Sequence, residues 1–289
     1  METKQLGSTD IAISAIGLGG MPMSISGRPD EAQSIEVIHR ALDLGVTLID
    51  TADSYCKDES DKHHNERLIA KALKEYQGNT NVTIATKGGL MRPNGDWTRN
   101  GSPEHLKETI RTSFEALGGE KPIDVWQYHA PDTKYSIEES LKPAAEAVKS
   151  GLIRFVGVSN FSVEQIKRAS EVVDIVSVQN QYNPWHRQPE FDGVLEYCDR
   201  EKLTFLPWSP LGGSRRASKL GDIKAIASMA KTKEVSVYAI VLAWVRAKSP
   251  CIVPIPGASK VSSIEDSVES VQVKLSKEEV QQIDNETAA

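Results

Sequence analysis

Residues 123–160 read IDVWQYHAPDTKYSIEESLKPAAEAVKSGLIRFVGVSN, and this stretch decides the fold. It opens on the apolar run IDVWQYH (123–129) and closes on another, IRFVGVSN (153–160). Both runs are continuous rather than alternating, as a parallel strand must be when both of its faces are covered. Between them Ser136 stands three residues before Glu139, the reciprocal pair that caps a helix start. Strand, helix and second strand of this kind form one parallel unit.

The unit recurs along the chain. Six further apolar runs bring the total to eight: AIGLG (15–19), VTLID (46–50), VTIATK (82–87), DIVSVQNQ (174–181), LTFLPWS (203–209) and CIVPIPG (251–257). Asp30 with Gln33 and Ser162 with Gln165 are further capping boxes, and Ser102 precedes a proline suited to the first helical position. After Asp30, residues Ile35, Ile38, Ala41 and Leu42 share one helix face, and Gly45 is placed to end it. Strand followed by helix, eight times over roughly 36 residues each, predicts an α/β fold of the (β/α)8 barrel type. A length of 289 residues would otherwise suggest two domains, but a barrel of ~250 residues counts as one, so residues 1–289 are read as a single domain. The competing open, doubly wound sheet wants G-x-G-x-x-G in its first turn. Here Gly17-Leu18-Gly19-Gly20-Met21-Pro22 lacks the third glycine, and no helix follows at once. Residues 3–14, with a Gly7-Ser8-Thr9-Asp10 turn, predict an N-terminal β-hairpin closing the bottom of the barrel. A last helix capped at Ser276 is expected to leave almost no C-terminal extension.

Composition narrows the class. Apolar residues make up 39% and charged residues 26%, enough for a buried core and against disorder. Forty acidic against 34 basic residues give a net charge of −6, without the basic footprint of a nucleic-acid binder. The apolar runs are strand-sized, so no membrane span is expected. The start, METKQLGSTD, has neither a signal nor a transit pattern. Cys56, Cys198 and Cys251 are odd in number and far apart, as expected of reduced thiols in a cytoplasmic protein. The N-x-S/T matches at Asn81, Asn100, Asn160 and Asn285 then carry no glycosylation meaning. Six histidines and three cysteines show no ligand spacing, so no metal is expected. Phosphate-loop, serine-hydrolase and Y-x-x-x-K patterns are absent as well.

In a (β/α)8 barrel the reactive groups gather where the strands end. The second run ends in Asp50, with Tyr55 five residues on; the third ends in Lys87 and the fourth in His129. Taken singly, Asp50 also fits a helix cap, and a strand-ending lysine is ordinarily solvated. Together they interlock. A phenol with an ordinary pKa of about 10 is a poor acid at neutral pH, and a lysine ammonium beside it is expected to lower that pKa. A buried lysine in turn requires a carboxylate to keep its charge. Asp50, Lys87 and Tyr55 therefore make one general acid, with His129 to orient a carbonyl oxygen. The set contains no nucleophile, so the reducing equivalent must come from a cofactor.

The chain resembles the aldo-keto reductase superfamily, in a short form with little C-terminal extension. The residues that carry the resemblance are LIDTADSY around Asp50 and Tyr55, TKGG at Lys87, YHAPD at His129, GVSNF at Ser159-Asn160, PWSPL at Trp208 and IPGAS at 255–259. They follow the family's order over essentially the whole chain. The resemblance implies a catalytic tetrad of Asp50, Tyr55, Lys87 and His129, reducing an aldehyde or ketone by hydride transfer from a nicotinamide. It implies that Ser159, Asn160 and Gln179 hold the carboxamide and that Trp208 stacks on the ring. Ser209 and Leu211 would line the pyrophosphate, and Gly257 to Ser267 the adenosine end; Gly20 and Met21 are further cofactor candidates. Many members carry an arginine for the 2′-phosphate where this chain has Ser263, and an asparagine near the adenine where it has Ser267. Asp266 still fits an acidic adenine contact. Ser259 and Lys260 supply a hydroxyl and a cation for the 2′-phosphate, which favours NADPH and leaves NADH open.

For the substrate, Met21, Trp97, His129 and Trp185 are candidate wall residues, while Trp126 alternates with His129 and fits the helix side better. Trp97, in RPNGDWTRN, is the better candidate, because a tryptophan in a polar loop lacks a core role. The resemblance further implies an open mouth that tolerates bulky or aromatic aldehydes, and a monomer. Two rival readings are a Schiff-base lyase using Lys87 and a non-catalytic nicotinamide-binding partner subunit. An intact tetrad argues against the second.

Overall fold

A computed structural model of the chain describes residues 1–78 and 81–287. Strands β1 (Thr3–Gln5) and β2 (Ala12–Ser14) form an antiparallel hairpin with Lys4 opposite Ile13. The main sheet takes β3 (Leu18–Gly19), β4 (Leu48–Asp50) and β5 (Thr83–Gly88). A short antiparallel excursion, β6 (Leu90–Met91) with β7 (Thr98–Arg99), rises from the end of β5. The sheet resumes with β8 (Ile123–Tyr128), β9 (Ile153–Ser159), β10 (Ile175–Gln179) and β11 (Thr204–Phe205). Its seven strands are all parallel and run in the order β11-β10-β9-β8-β5-β4-β3.

Helices intervene as the capping signals predict. They are α1 (Glu31–Asp43), α2 (His64–Glu75), α3 (Pro103–Ala116), α4 (Ile137–Lys149) and α5 (Val163–Ser170), followed by α6 (Gln188–Phe191) and α7 (Val194–Arg200). The last four are α8 (Lys224–Lys233), α9 (Val237–Ala247), α10 (Val261–Glu269) and α11 (Lys277–Thr287). Asp30 accepts from the Gln33 N–H at 2.8 Å, and Ser136–Glu139 and Ser162–Gln165 are both reciprocal boxes. Ser102 accepts from the His105 N–H, with Pro103 in the first position of α3. Ser276 and Glu279 exchange the same pair of bonds at α11. These caps satisfy N–H groups that the first helical turn leaves without partners.

One of the eight expected strands is irregular. The run CIVPIPG closes the sheet into a barrel, but only through isolated parallel bridges, Phe205 with Ile252 on one side and Gly19 with Gly257 on the other. Pro254 and Pro256 accept from the N–H groups of Gly17 and Gly19 at 2.8 and 2.9 Å. Having no N–H of their own, they return no bond, and a regular ladder cannot form there. The closure nonetheless joins both sheet edges.

The barrel interior explains the continuous apolar runs. Leu48, Ala85, Val125, Val176, Leu206, Val253 and Ile255 fill its lower part, and Leu6 and Ile13 of the hairpin pack into the same cluster. The Gly7 N–H donates to the Thr204 hydroxyl at 2.7 Å, and the Ser14 N–H to the Thr47 hydroxyl at 2.8 Å. Both partners stand at the starts of barrel strands, so the hairpin does close the bottom. On the outer face Trp126, Tyr128, Val156, Val158 and Val178 meet Leu106, Ile110 and Leu141 from the helices. Among the described residues no helix is long and apolar enough to cross a membrane.

Candidate active site

The strand ends bring together the four residues singled out from the sequence. Asp50 is the last residue of β4, Lys87 lies one residue from the end of β5, and His129 follows β8 directly. The Lys87 ammonium donates to both Asp50 oxygens at 2.8 Å, to the Thr51 carbonyl at 2.7 Å and to the Tyr55 hydroxyl at 3.0 Å. The Tyr55 and His129 rings meet edge to face, 5.9 Å between centroids. All four side chains are at least nine-tenths buried, Lys87 completely. The Asp53 N–H bonds the Lys87 carbonyl at 3.1 Å, which ties the Tyr55 loop to β5.

Electrostatics depart from the sequence expectation at one point. The phenol is not acidified: burial, then the Asp50 carboxylate, hold the Tyr55 pKa well above its ordinary value. The physical reason is that the ammonium is already neutralised by Asp50, so the phenol does not feel a bare cation. Tyr55 therefore stands protonated, loaded as a donor. Burial pulls Lys87 down and Asp50 opposes it. Burial, then Lys87, hold His129 well below the ordinary histidine range, so its imidazole is neutral. His129 Nδ1 is buried without a hydrogen-bond partner. Asp53 is a separate buried carboxyl, pushed up to about 6 by burial and lying 3.3 Å from the Lys62 ammonium.

The proposed carboxamide holders are engaged with the protein itself. Gln179 donates to Asp50 at 2.8 Å, steadying the carboxylate that faces Lys87. Ser159 donates to the Gln179 carbonyl at 2.8 Å, and Asn160 to the His129 carbonyl at 3.0 Å. The Trp208 indole N–H in turn donates to the Asn160 amide oxygen at 3.0 Å. Asn160 and Ser209 nevertheless adopt left-handed backbone, with φ of 62° and 49°. Non-glycine residues hold that conformation at a cost, and such positions gather where ligands are clamped. Both stand at strand exits on the mouth of the barrel, which fits a ligand there.

At the adenosine end the predicted residues divide. Asp266 accepts from the Ser236 hydroxyl at 2.8 Å, and the buried Ser267 donates back to the Ser263 carbonyl, also at 2.8 Å. Both bonds lie within or between helices α9 and α10. Lys260 and Ser263 are exposed at the start of α10, with Ser259 half-buried beside them. A nine-residue helix beginning there offers its first N–H groups to an anion, so these residues can hold a phosphate. Gly20 is explained by packing: a side chain there would meet the Asn65 amide at 2.3 Å. Gly257 is exposed against Pro22, and Met21 and Leu211 are half-buried.

The wall candidates divide too. Trp97 is 46% exposed, and its ring lies 6.4 Å from that of His129. Trp185 instead packs under Gly212, where an added Cβ would lie 2.5 Å from its ring, with the Arg216 guanidinium 5.8 Å away. Its contacts are thus with Gly212 and Arg216 of the loop that follows Leu211. Trp126 is fully buried against helix residues. The sequence reading missed Arg92, whose guanidinium lies 4.0 Å from the Trp97 ring centroid. The dipeptide signal was too weak to find it: arginine five residues before a tryptophan meets it only because β6 and β7 fold back on each other. Among the described residues, no group of three or more His, Cys, Asp or Glu side chains is placed to hold a metal ion.

Comparison with known proteins agrees with this geometry. An uncharacterized oxidoreductase of Schizosaccharomyces pombe is 38% identical over 283 residues, 96% of this chain and 88% of that protein. Pyridoxine 4-dehydrogenase of Escherichia coli is 31% identical over 94% of both chains. Among solved structures, an aldo-keto reductase from Klebsiella pneumoniae in complex with NADPH superposes with a TM-score of 0.82 at 23% identity, covering 99% of this chain and 95% of that one. The family model described as Aldo/keto reductase family matches residues 15–287, and the chain belongs to that family.

Proposed function

We propose that this oxidoreductase reduces aldehydes or ketones to alcohols, with NADPH as its preferred hydride donor and NADH as the weaker one. The observation that carries the reading is the buried contact of Tyr55 with a Lys87 ammonium already held by Asp50. A reduced nicotinamide, when bound, would supply the hydride that the carbonyl carbon takes up. Tyr55 gives its proton to the carbonyl oxygen as charge builds there, and Lys87 stabilises the phenolate left behind. The neutral His129 orients that oxygen without competing for the proton. Ser159, Asn160, Gln179 and Trp208 would flank the nicotinamide, Met21, Ser209 and Leu211 the diphosphate side, and Ser259, Lys260 and Ser263 the 2′-phosphate. The Klebsiella relative's bound NADPH supports the same choice of cofactor. We read the chain as one barrel domain acting as a cytoplasmic monomer.

The Schiff-base alternative is disfavoured by the same geometry. Lys87 has four acceptors for three protons, so its nitrogen lone pair is not available to a carbonyl. The direct test is NADPH consumption against a panel of carbonyl compounds, with nitrobenzaldehyde as the bulky aromatic probe and pyridoxal included because of the E. coli relative. Turnover of aldehydes supports the reading; no turnover of any member overturns it.

Cofactor preference has its own test. Lys260 is an exposed cation at the start of α10, three residues before Ser263. K260A should weaken NADPH binding about tenfold, equal to ~1.4 kcal/mol, and leave NADH binding unchanged. Fluorescence titration with both cofactors reads this. Unchanged NADPH affinity would remove the basis of the preference.

A further inference from the structure

Arg92 occupies an unusual place. It is 5% exposed, although it belongs to the loop between β6 and β7 that overhangs the mouth. Its N–H bonds the Glu59 carboxylate and its guanidinium bonds the Lys57 carbonyl at 3.2 Å. Both partners belong to the segment that follows Tyr55. Its Nε is buried without a hydrogen-bond partner. The arginine leaves that bond unmade in a position that sets its guanidinium over the Trp97 ring, 4.0 Å from the ring centroid. From the other side of the loop, Arg99 donates to the Pro131 carbonyl at 3.1 Å, two residues beyond His129. The excursion is thus pinned at one end to the Tyr55 loop and at the other to the His129 loop.

A tryptophan with 46% exposure at such a site would ordinarily sample several rotamers. Here a guanidinium covers one face, and stacking of this kind favours a fixed plane. The indole also meets the His129 ring edge to face, 6.4 Å between centroids, so its uncovered surface borders the catalytic histidine. A flat group placed there stacks on a surface already immobilised, so less side-chain entropy is lost on binding than with a mobile wall. An unbranched alkyl chain gains far less from a flat wall, because aromatic pairs gain from stacking beyond the area they bury.

We propose that Arg92 is a specificity-determining residue that fixes Trp97 as a stacking wall beside His129 and so selects aryl aldehydes over alkyl aldehydes. This inference rests on the carbonyl-reductase reading and deepens it to a substrate class. Arg92 acts through Trp97, as a positioning residue.

The experiment compares the intact chain with R92M, R92K and W97A on benzaldehyde and butanal. R92M should raise the KM for benzaldehyde about fivefold and leave kcat within twofold, with little change for butanal. R92K, which keeps the charge but loses the plane, should fall between R92M and the parent. W97A should erase the aryl preference as fully as R92M does. Equal losses on both aldehydes, or an unchanged benzaldehyde-to-butanal ratio, would overturn the proposal even if the melting temperature falls. A second arm titrates benzyl alcohol into each protein calorimetrically and needs no turnover. Weaker binding to R92M and W97A than to the parent supports the wall in a chain that reduces nothing, so the two readings fail separately. Equal binding to all of them overturns it.

Discussion

Replacing Tyr55 by phenylalanine will lower kcat for every aldehyde and ketone by about 10²–10⁴-fold, the range for loss of a positioned proton donor. KM for the same substrates and the affinity for NADPH will change little. The fold will stay intact, because the lost hydroxyl is only one of four acceptors around Lys87. The two Asp50 oxygens and the Thr51 carbonyl at 2.7–2.8 Å already take its three protons. Steady-state kinetics beside a urea unfolding curve measure both halves. Y55F protein that is stable yet retains the parent kcat would remove the phenol from the reaction.

Substitution of Asp50 by alanine should do the reverse, damaging stability as much as chemistry. Asp50 is 2% exposed and, among the described residues, is the only carboxylate bonded to the fully buried Lys87. Removing one partner of a buried ion pair leaves an uncompensated charge, which costs about 3–5 kcal/mol. Gln179 and Gln127, which both donate to Asp50, also lose their acceptor. D50A should therefore unfold at markedly lower urea than the parent and reduce carbonyl compounds poorly when folded. D50N should recover packing but not the charge, and so regain only part of the stability. A D50A protein as stable as its parent would mean that water or another group compensates Lys87.

The contrast between these two variants follows from what each atom does for its neighbours. Tyr55 receives a bond that Lys87 can spare, whereas Asp50 supplies the carboxylate that bonds Lys87 directly, with Asp53 and Glu66 acting on it less strongly. Stability and chemistry therefore separate at Tyr55 and run together at Asp50. Measuring both quantities for both variants distinguishes a proton donor from the support beneath it.

Much of the fold was legible along the chain because its signals are local. Ser136 and Glu139 meet three residues apart, so their capping box needs nothing beyond the first turn of α4. Ile123, Val125, Trp126 and Tyr128 put apolar side chains on both faces of β8, because both faces are covered, and covered strands leave that trace in any order of assembly. The positions of Asp50, Lys87 and His129 at the ends of such runs were equally plain, since the barrel geometry assigns strand ends to one mouth. What local signals could not reveal was how the mouth is wired. Gln179 donates to Asp50 from 129 residues away, a bond that no local spacing records. Asp266 likewise meets Ser236, which caps α9, at 2.8 Å.

The chain by itself determined the alternation of strand and helix, the starts of the helices and the roster of polar side chains at the strand ends. Each depends on neighbours within a few residues, where chain connectivity alone sets the distance. Only the tertiary structure decided that Pro254 and Pro256 close the barrel without a full ladder, that Tyr55 is held protonated rather than acidified, and that the Arg92 guanidinium sits over the Trp97 ring. These are matters of burial and of charges meeting across strands. Desolvation and Coulomb energy depend on what folding places nearby, and no spacing along the chain records that.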